Sequence, residues 1–505
     1  MRVKQKGCVQ CYIRTSEVRV MKGKQKRIWI TACAALTWAM CAHTVWAAGG
    51  HWEYRDENNQ WFYLNEKGEK TTGRKELDGE VYFFDESGVM LTGWVLCPKD
   101  EMPEPYAGVM DGEDIYYCGL DGKMAKGWVE AYNPEQVVWD EAQQFQEIQN
   151  GGYQKSRYYF SEKGKPYQNE KKTIDGKRYI FGSECAVLTG WIYDQGEGQS
   201  ERYLSMDVDG SASDKELGKA NPGNLLYGTN DGGVLATNQW VDAIPLWDEA
   251  DDDSRSFYAD SSSYIVTGSG TKGNGASPVA RRKARKIDEI GTYSLEDWST
   301  DVNITKIGGK FYCLEDSGTR IDGMFWLSGA KGDSSFSDGI YCFTDNSAMR
   351  TGAVMEENIK DDVSDGYVYY YYFAERTNSR HAKGQGFTGV HAGRLYYLGL
   401  AVGAQNESYE VVYLPMLEEK DRSGGSTGCF LVDETGRVMK GSKNGSHYTA
   451  ADGTEYKVTK AGDLNDEYGY KIELCDGEKD ENNHKVWRNL TEKDYTYICW
   501  DIVEE

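Results

Sequence analysis

Short aromatic and β-branched runs alternate with polar turns along most of this chain, and the alternation recurs as a unit. Leu77–Trp94 reads L-D-G-E-V-Y-F-F-D-E-S-G-V-M-L-T-G-W, and Ile174–Trp191 reads I-D-G-K-R-Y-I-F-G-S-E-C-A-V-L-T-G-W. Aligned, Asp78, Gly79, Tyr82, Phe84, Leu91, Thr92, Gly93 and Trp94 fall on Asp175, Gly176, Tyr179, Phe181, Leu188, Thr189, Gly190 and Trp191. Within the unit, Val81-Tyr82-Phe83-Phe84 predicts a strand and Asp85-Glu86-Ser87-Gly88 a tight turn with Gly88 at positive φ. Val89-Met90-Leu91-Thr92 is then the returning strand of a β-hairpin. Gly93 lets the backbone swing into the next unit. So short a unit cannot bury a core alone and must stack on its neighbours. The expected fold class is all-β: a repeat solenoid of stacked β-hairpins with irregular insertions.

Degraded copies extend the pattern. Trp61-Phe62-Tyr63-Leu64 precedes it, and Ile115-Tyr116-Tyr117-Cys118 with Gly127-Trp128 follows. Later copies start at Phe311, Ile340 and Cys429. One insertion carries helix signals: Asn133-Pro134-Glu135-Gln136 as cap and first turn, an apolar face of Val138, Ala142, Phe145 and Ile148, and Gly151 as the stop. The Gly/Ser-rich stretch from Ser261 to Pro278 and the basic run Arg281–Lys286 predict an exposed linker. The expected organisation is therefore a leader over 1–47, a repeat array over 48–268, a linker over 269–300, a second array over 301–441, and a cap or small β segment over 442–505.

Composition fits many tight turns between aromatic strands, with 58 Gly, 36 Tyr and only 9 Pro. Lys22, Lys24, Lys26 and Arg27 precede an apolar run from Ile28 to Ala42, and Val45-Trp46-Ala47 follows. This describes a secretory signal peptide cleaved after Ala47, with Met21 as the natural start, and a run too short for a membrane span. Cleavage removes nine of the 57 basic residues and one of the 81 acidic ones, moving the formal charge from −24 to −32. Such a chain is a poor partner for nucleic acid or anionic lipid, since phosphate binding needs a basic surface. It is expected to be secreted, with no membrane insertion after cleavage. The cysteines beyond the leader are widely spaced, and most are expected to pack as small apolar residues; Cys475 and Cys499 are the pair that could bridge.

The unit resembles the choline-binding and glucan-binding repeats of Gram-positive surface proteins, whose pattern is Gly-Trp, a spacer, an aromatic strand, a turn ending in Gly, then Met-x-Thr-Gly. The resemblance covers most of residues 52–441. It implies a hairpin solenoid whose aromatics form cages for a quaternary ammonium group or a sugar, on cell-wall polysaccharide or on teichoic acid, including its choline-substituted form. The ligand-binding residues it implies are Trp61, Tyr63, Tyr82, Trp94, Tyr116, Tyr117, Trp128, Tyr179 and Trp191. Aromatic faces around a desolvated cation are worth roughly 0.5–2 kcal/mol per ring. This chain departs from the family pattern in placing insertions after Trp94, Trp128 and Trp191, where the next hairpin should complete each cage.

Motifs that suggest catalysis or a metal lack their required setting. Gly424-Gly425-Ser426-Thr427-Gly428 matches G-x-S-x-G without the strand before and the helix after that a nucleophile elbow needs. Ser205–Glu216 spaces Asp207, Asp209, Gly210 and Glu216 like a calcium loop, but serine stands at the first ligand position and no flanking helices are expected. A lone Cys8-x-x-Cys11 has no second pair. No cofactor, metal or catalytic residue is expected. The leading reading is a non-enzymatic wall-associated binder; a wall hydrolase hidden in the insertions or the C-terminal segment, and an adhesive spacer without glycan affinity, are the alternatives.

Overall fold

The computed structural model of the chain describes residues 49–56, 59–110, 114–136, 138–139, 145–146, 155–206, 212–247, 253–268, 278–330, 336–344, 348–360, 363–405, 408–414, 428–460 and 470–498. The leader, Ser426 and Cys499 lie outside them. The regular secondary structure of the described residues is almost entirely strand, arranged as many small, mostly antiparallel sheets joined by turns, as the stacked-hairpin reading expects. They form two compact units. One is built from the residues up to Tyr106 with Tyr116–Met124, the other from Ala107–Ile115, Ala125–Asp140 and the chain from Phe145 onward.

The hairpins are not where the sequence pattern places their turns. In the repeat over residues 73–93 the paired strands are Gly73–Leu77 and Glu80–Phe84, and the turn between them is Asp78-Gly79. Both turn residues have positive φ, 52° and 82°. That is the two-residue turn whose twist matches the flanking strands. Asp175-Gly176 repeats it at 49° and 77°, between Glu170–Ile174 and Lys177–Phe181. The segment expected as the returning strand, Val89–Thr92, pairs with its own hairpin only through an isolated bridge from Met90 to Phe84. Asp85–Gly88 does form a turn: the Gly88 N–H donates to the Asp85 carbonyl at 3.0 Å and the Val89 N–H to Asp85 Oδ1 at 2.8 Å. Its task is to carry the chain out of one hairpin and back across the preceding one.

That crossing is the stacking contact. The Met90 N–H donates to the Trp61 carbonyl of the previous hairpin at 2.8 Å. The equivalent bonds are Val187 to Arg157 at 2.8 Å, Leu235 to Arg178 at 2.8 Å and Arg320 to Ser256 at 3.0 Å. Each hairpin thus satisfies a backbone group of the one before it, and apolar side chains close the space between them. In the first unit that core is Val81, Phe83, Leu91, Val95, Tyr116, Cys118 and Met124.

Three expectations are corrected in the second unit. Pro278–Lys286, expected as part of a linker with a solvated basic run, is the central strand of a five-stranded sheet, between Thr300–Ile307 and Gly323–Ser328. The charges hid a two-residue period: Ala280 and Ala284 face the core, and Arg282 is buried with its guanidinium donating to the Phe336 and Arg281 carbonyls. Arg281, on the exposed side, meets Asp316 at 2.8 Å. The helix expected after Asn133 is a single 3-10 turn, Pro134–Gln136, followed by the short strand Val138–Trp139, which pairs with Phe145–Gln146. The cap is real, because Asn133 Oδ1 accepts from the Glu135 N–H at 3.0 Å, but a cap alone does not propagate a helix. Ala142, Ile148 and Gly151 lie outside the described residues. The α-helix that does form, Ala212–Ala220, stands where none was expected: it overlaps the end of the calcium-like spacing and contains Glu216. Among the described residues no helix is long and apolar enough to cross a membrane.

Beyond Ser442 the chain makes a four-stranded sheet of Ser446–Thr449, Glu455–Lys460, Tyr470–Cys475 and Arg488–Asn489. Tyr456, Val458, Ile472 and Leu474 from it share a core with Val411, Phe430 and Val432 of the preceding hairpin. Cys118, Cys313 and Cys342 are buried free thiols. Burial pushes the Cys342 thiol up to about 12, so it packs as an apolar residue and not as a nucleophile.

Candidate functional site

The register of the hairpins builds one aromatic arrangement repeatedly. In each of four hairpins a tryptophan is the second residue of the first strand, and a tyrosine sits directly across from it on the paired strand. Trp52 faces Tyr63, Trp128 faces Tyr159, Trp191 faces Tyr227 and Trp240 faces Tyr258. The following hairpin contributes a third ring. Trp52 lies 5.2 Å from Tyr63 and 4.9 Å from Tyr82; Trp128 lies 5.0 Å from Tyr159 and 4.8 Å from Tyr179. Trp191 lies 5.3 Å from Tyr227 and 5.0 Å from Phe257; Trp240 lies 5.3 Å from Tyr258 and 4.9 Å from Tyr312. The rings meet at steep angles, so each corner presents several aromatic faces and edges to one volume.

The insertions after Gly-Trp do not displace the neighbour. They lie inside the hairpin, between its two strands, so the second strand still returns opposite the tryptophan. They do change its exposure. After Trp94 the chain returns as Glu104–Pro105 on the edge of Gly93–Leu96, and after Trp191 it returns as Tyr203–Met206 on the edge of Gly190–Asp194. Trp94 is 0% and Trp191 2% exposed, and the Trp191 indole N–H donates to the Ile244 carbonyl at 2.8 Å. Trp247 closes further on Trp191, at 6.4 Å. An open depression of about 440 Å³ lined by Tyr227, Ser205, Asp242 and Ser254 reaches Trp191 at its floor.

The nine residues expected to bind therefore divide by burial. Trp94, Tyr82, Tyr116, Tyr179 and Trp191 are buried; Trp61, Tyr63, Tyr117 and Trp128 are half-buried. Tyr117 packs edge-on to Trp94 at 5.2 Å. Tyr116 packs on Phe83 at 4.9 Å, in a corner where Arg74 holds the tryptophan's position. Burial raises the Tyr82 phenol above its ordinary value. The first corner is the most completely aromatic: Trp52 is half-buried and is also 6.4 Å from Trp61, whose other side meets Tyr54 at 4.9 Å.

Trp52 and Trp240 were missed by the sequence reading because no glycine immediately precedes them. His51 and Gln239 stand there, at the first strand position. The usable signal was a tryptophan directly across a hairpin from the tyrosine of an aromatic strand, which needs the register and not the Gly-Trp pair. Among the described residues no cluster of three or more His, Cys, Asp or Glu side chains is arranged to hold a metal.

No family model matches the chain. Over 148 residues, 26% of the chain, it is 24% identical to a glucosyltransferase-I of Streptococcus downei, and the match spans 9% of that relative's length. Among solved structures it is similar to CbpJ from Streptococcus pneumoniae, at 16% identity over 77% of this chain and 100% of the other, with a TM-score of 0.29. It is also similar to choline-binding protein F from Streptococcus pneumoniae, at 18% identity over 70% and 99% of the two chains, with a TM-score of 0.26.

Proposed function

We propose that this is a secreted, non-enzymatic binder of the Gram-positive cell wall, attached noncovalently through aromatic corners between stacked hairpins. The observation that carries the reading is the corner of Trp52, Trp61, Tyr63 and Tyr82, in which Tyr82 is buried and the other three rings stay partly exposed. The negative faces of these rings attract a weakly hydrated cation such as choline on teichoic acid, and a formal charge of −24 adds a long-range pull on cations that salt weakens. The same rings can stack on a sugar, and the similarity to a glucosyltransferase makes glucan the second ligand to test. Against a cysteine hydrolase stand the thiols of Cys118, Cys313 and Cys342, which burial holds protonated.

The test is retention of the full mature chain on purified walls, followed by elution with choline or with glucan fragments. Trp52→Ala and Tyr82→Ala should each release most of the bound protein while leaving its thermal unfolding cooperative. Elution by choline alone assigns the ammonium ligand, and elution by glucan alone assigns the sugar. Retention unchanged in both variants rejects the corner as the site, and wall solubilisation by the purified protein rejects the non-enzymatic reading.

A further inference from the structure

The aromatic corners are alike in their rings and unlike in what lies over them. In the strand Gln60–Leu64 the second position is Trp61; in the equivalent strand Ser156–Phe160 it is Arg157. The Arg157 guanidinium carbon lies 3.7 Å from the centre of the Trp128 ring and 5.7 Å from that of Tyr179. It occupies the volume that a bound cation would take. Its Nη1 donates to the Gly232 carbonyl at 3.1 Å. Gly232 has a φ of 64°, and a Cβ at that residue would run into Arg157 Nη1. The glycine therefore makes the room in which the arginine is held.

A second corner reaches the same result from a different place in the repeat. Ser256 stands where Trp61 and Arg157 do, and supplies neither ring nor cation. The cation instead comes from Arg320, the residue that crosses back from the following hairpin, with its N–H on the Ser256 carbonyl at 3.0 Å. The Arg320 guanidinium carbon lies 4.7 Å from the centre of the Trp240 ring, and its Nε lies 3.7 Å from Asp322 Oδ1. Over Trp52, by contrast, no cation lies among the described residues.

We propose that Arg157 and Arg320 are built-in occupants that close the Trp128 and Trp240 corners to external quaternary ammonium groups, so that the choice of working site is set by arginine placement and not by the aromatic residues. The proposal deepens the wall-binding reading and rests on it only for the Trp52 corner. A tethered guanidinium competes at an effective concentration in the millimolar range, so a free cation of comparable affinity cannot displace it. Removing the tether leaves the rings and frees the volume.

The experiment uses the full chain labelled with 5-fluorotryptophan, with tetramethylammonium chloride and choline chloride as probes and Trp→Phe variants to assign the fluorine signals. In the unsubstituted protein the Trp128 and Trp240 signals should stay fixed through the titration. Arg157→Ala should make the Trp128 signal titrate, with an affinity roughly tenfold or more above that of the same corner before substitution. Arg157→Lys, which keeps a cation over the ring, should leave it fixed. The protons on Arg157 Cδ should be shifted upfield by the Trp128 ring current in the unsubstituted protein, which tests the placement without any variant. A Trp128 signal that titrates with Arg157 in place, one that stays silent in a folded Arg157→Ala, or unshifted Arg157 protons would each overturn the proposal. If Arg157→Ala opens its corner while Trp52 never responds, the closure stands and the cation-binding reading of the Trp52 corner is the part that fails.

Discussion

At the level of single residues, the same tryptophan in the same register position serves two ends, and exposure separates them. Trp94 and Trp191 are sealed by the strands that their insertions return, Trp128 is half-buried beneath Arg157, and Trp52 keeps part of a face open. Truncating a fully buried tryptophan removes its transfer energy and leaves a cavity, a loss of about 3–5 kcal/mol. Trp94→Ala and Trp191→Ala should therefore lower the thermal midpoint, with any loss of wall retention following the loss of fold. Trp52→Ala should cost well under half as much stability and release most of the bound protein at a temperature where the chain stays folded. Differential scanning calorimetry and wall retention on the same samples separate the two, and a destabilisation by Trp52→Ala equal to that of Trp94→Ala would make Trp52 a packing residue. The nine expected residues were legible as aromatic positions in a repeat. Their division into open and sealed was not, because exposure depends on strands that pair from the far side of an insertion.

At the level of the element, the hairpin is held by its two-residue turn and coupled to its neighbour by the crossing segment. Gly79 has a φ of 82° with no atom near its missing Cβ, so Gly79→Ala meets only the left-handed backbone penalty, on the order of 1–2 kcal/mol. Gly88 has a φ of 80°, and its Cβ would also come within 2.8 Å of Lys70 Cβ and 3.2 Å of the Thr71 carbonyl in the preceding repeat. Gly88→Ala should thus be the more damaging substitution and should disturb two repeats rather than one. Urea unfolding followed by hydrogen exchange is the check: Gly79→Ala should weaken protection locally, and Gly88→Ala should also weaken the Gln60–Leu64 strand. Equal effects of the two would mean that the stacking contact carries no energy beyond its own turn. The Asp-Gly pair was in plain view in the sequence. The longer Asp85–Gly88 turn attracted the hairpin assignment because strand propensity continues on both sides of it, while the pairing partner lies ahead of Asp78.

At the level of the molecule, the C-terminal sheet ends the second unit and is tied by charge. Arg488 reaches Asp476 at 2.6 Å and Asp494 with two bonds of 2.7 Å, and Asp494 also accepts from the Thr491 N–H and hydroxyl at 2.6 Å each. The Arg488 guanidinium, with Thr491, holds the Asp494 carboxyl well below the ordinary carboxylate range. The folded-state value is thus lower than the unfolded one, near 3.9. Its stabilising contribution is complete above that value and is lost as pH falls through the folded value. Amide exchange in Glu455–Lys460 should accordingly quicken below about pH 4. Arg488→Met should raise exchange there at neutral pH and flatten the acid dependence; an unchanged acid profile in Arg488→Met would remove Asp494 from the account.

The sequence by itself determined the repeat, the all-β class and the aromatic stock of the corners, because these follow from local spacing: glycine where φ must be positive, and a period of two in the strands. It also carried the cap at Asn133 without revealing that only one turn follows it. The tertiary structure decided the rest. Cross-strand register brought Trp52 and Trp240 opposite tyrosines, edge pairing sealed Trp94 and Trp191, and a sheet with one buried face turned the basic run of Pro278–Lys286 into its central strand, where backbone carbonyls satisfy Arg282. The physical reason is the same in each case: a side chain's surroundings are fixed by segments distant in sequence, and propensity reaches only a few residues along the chain.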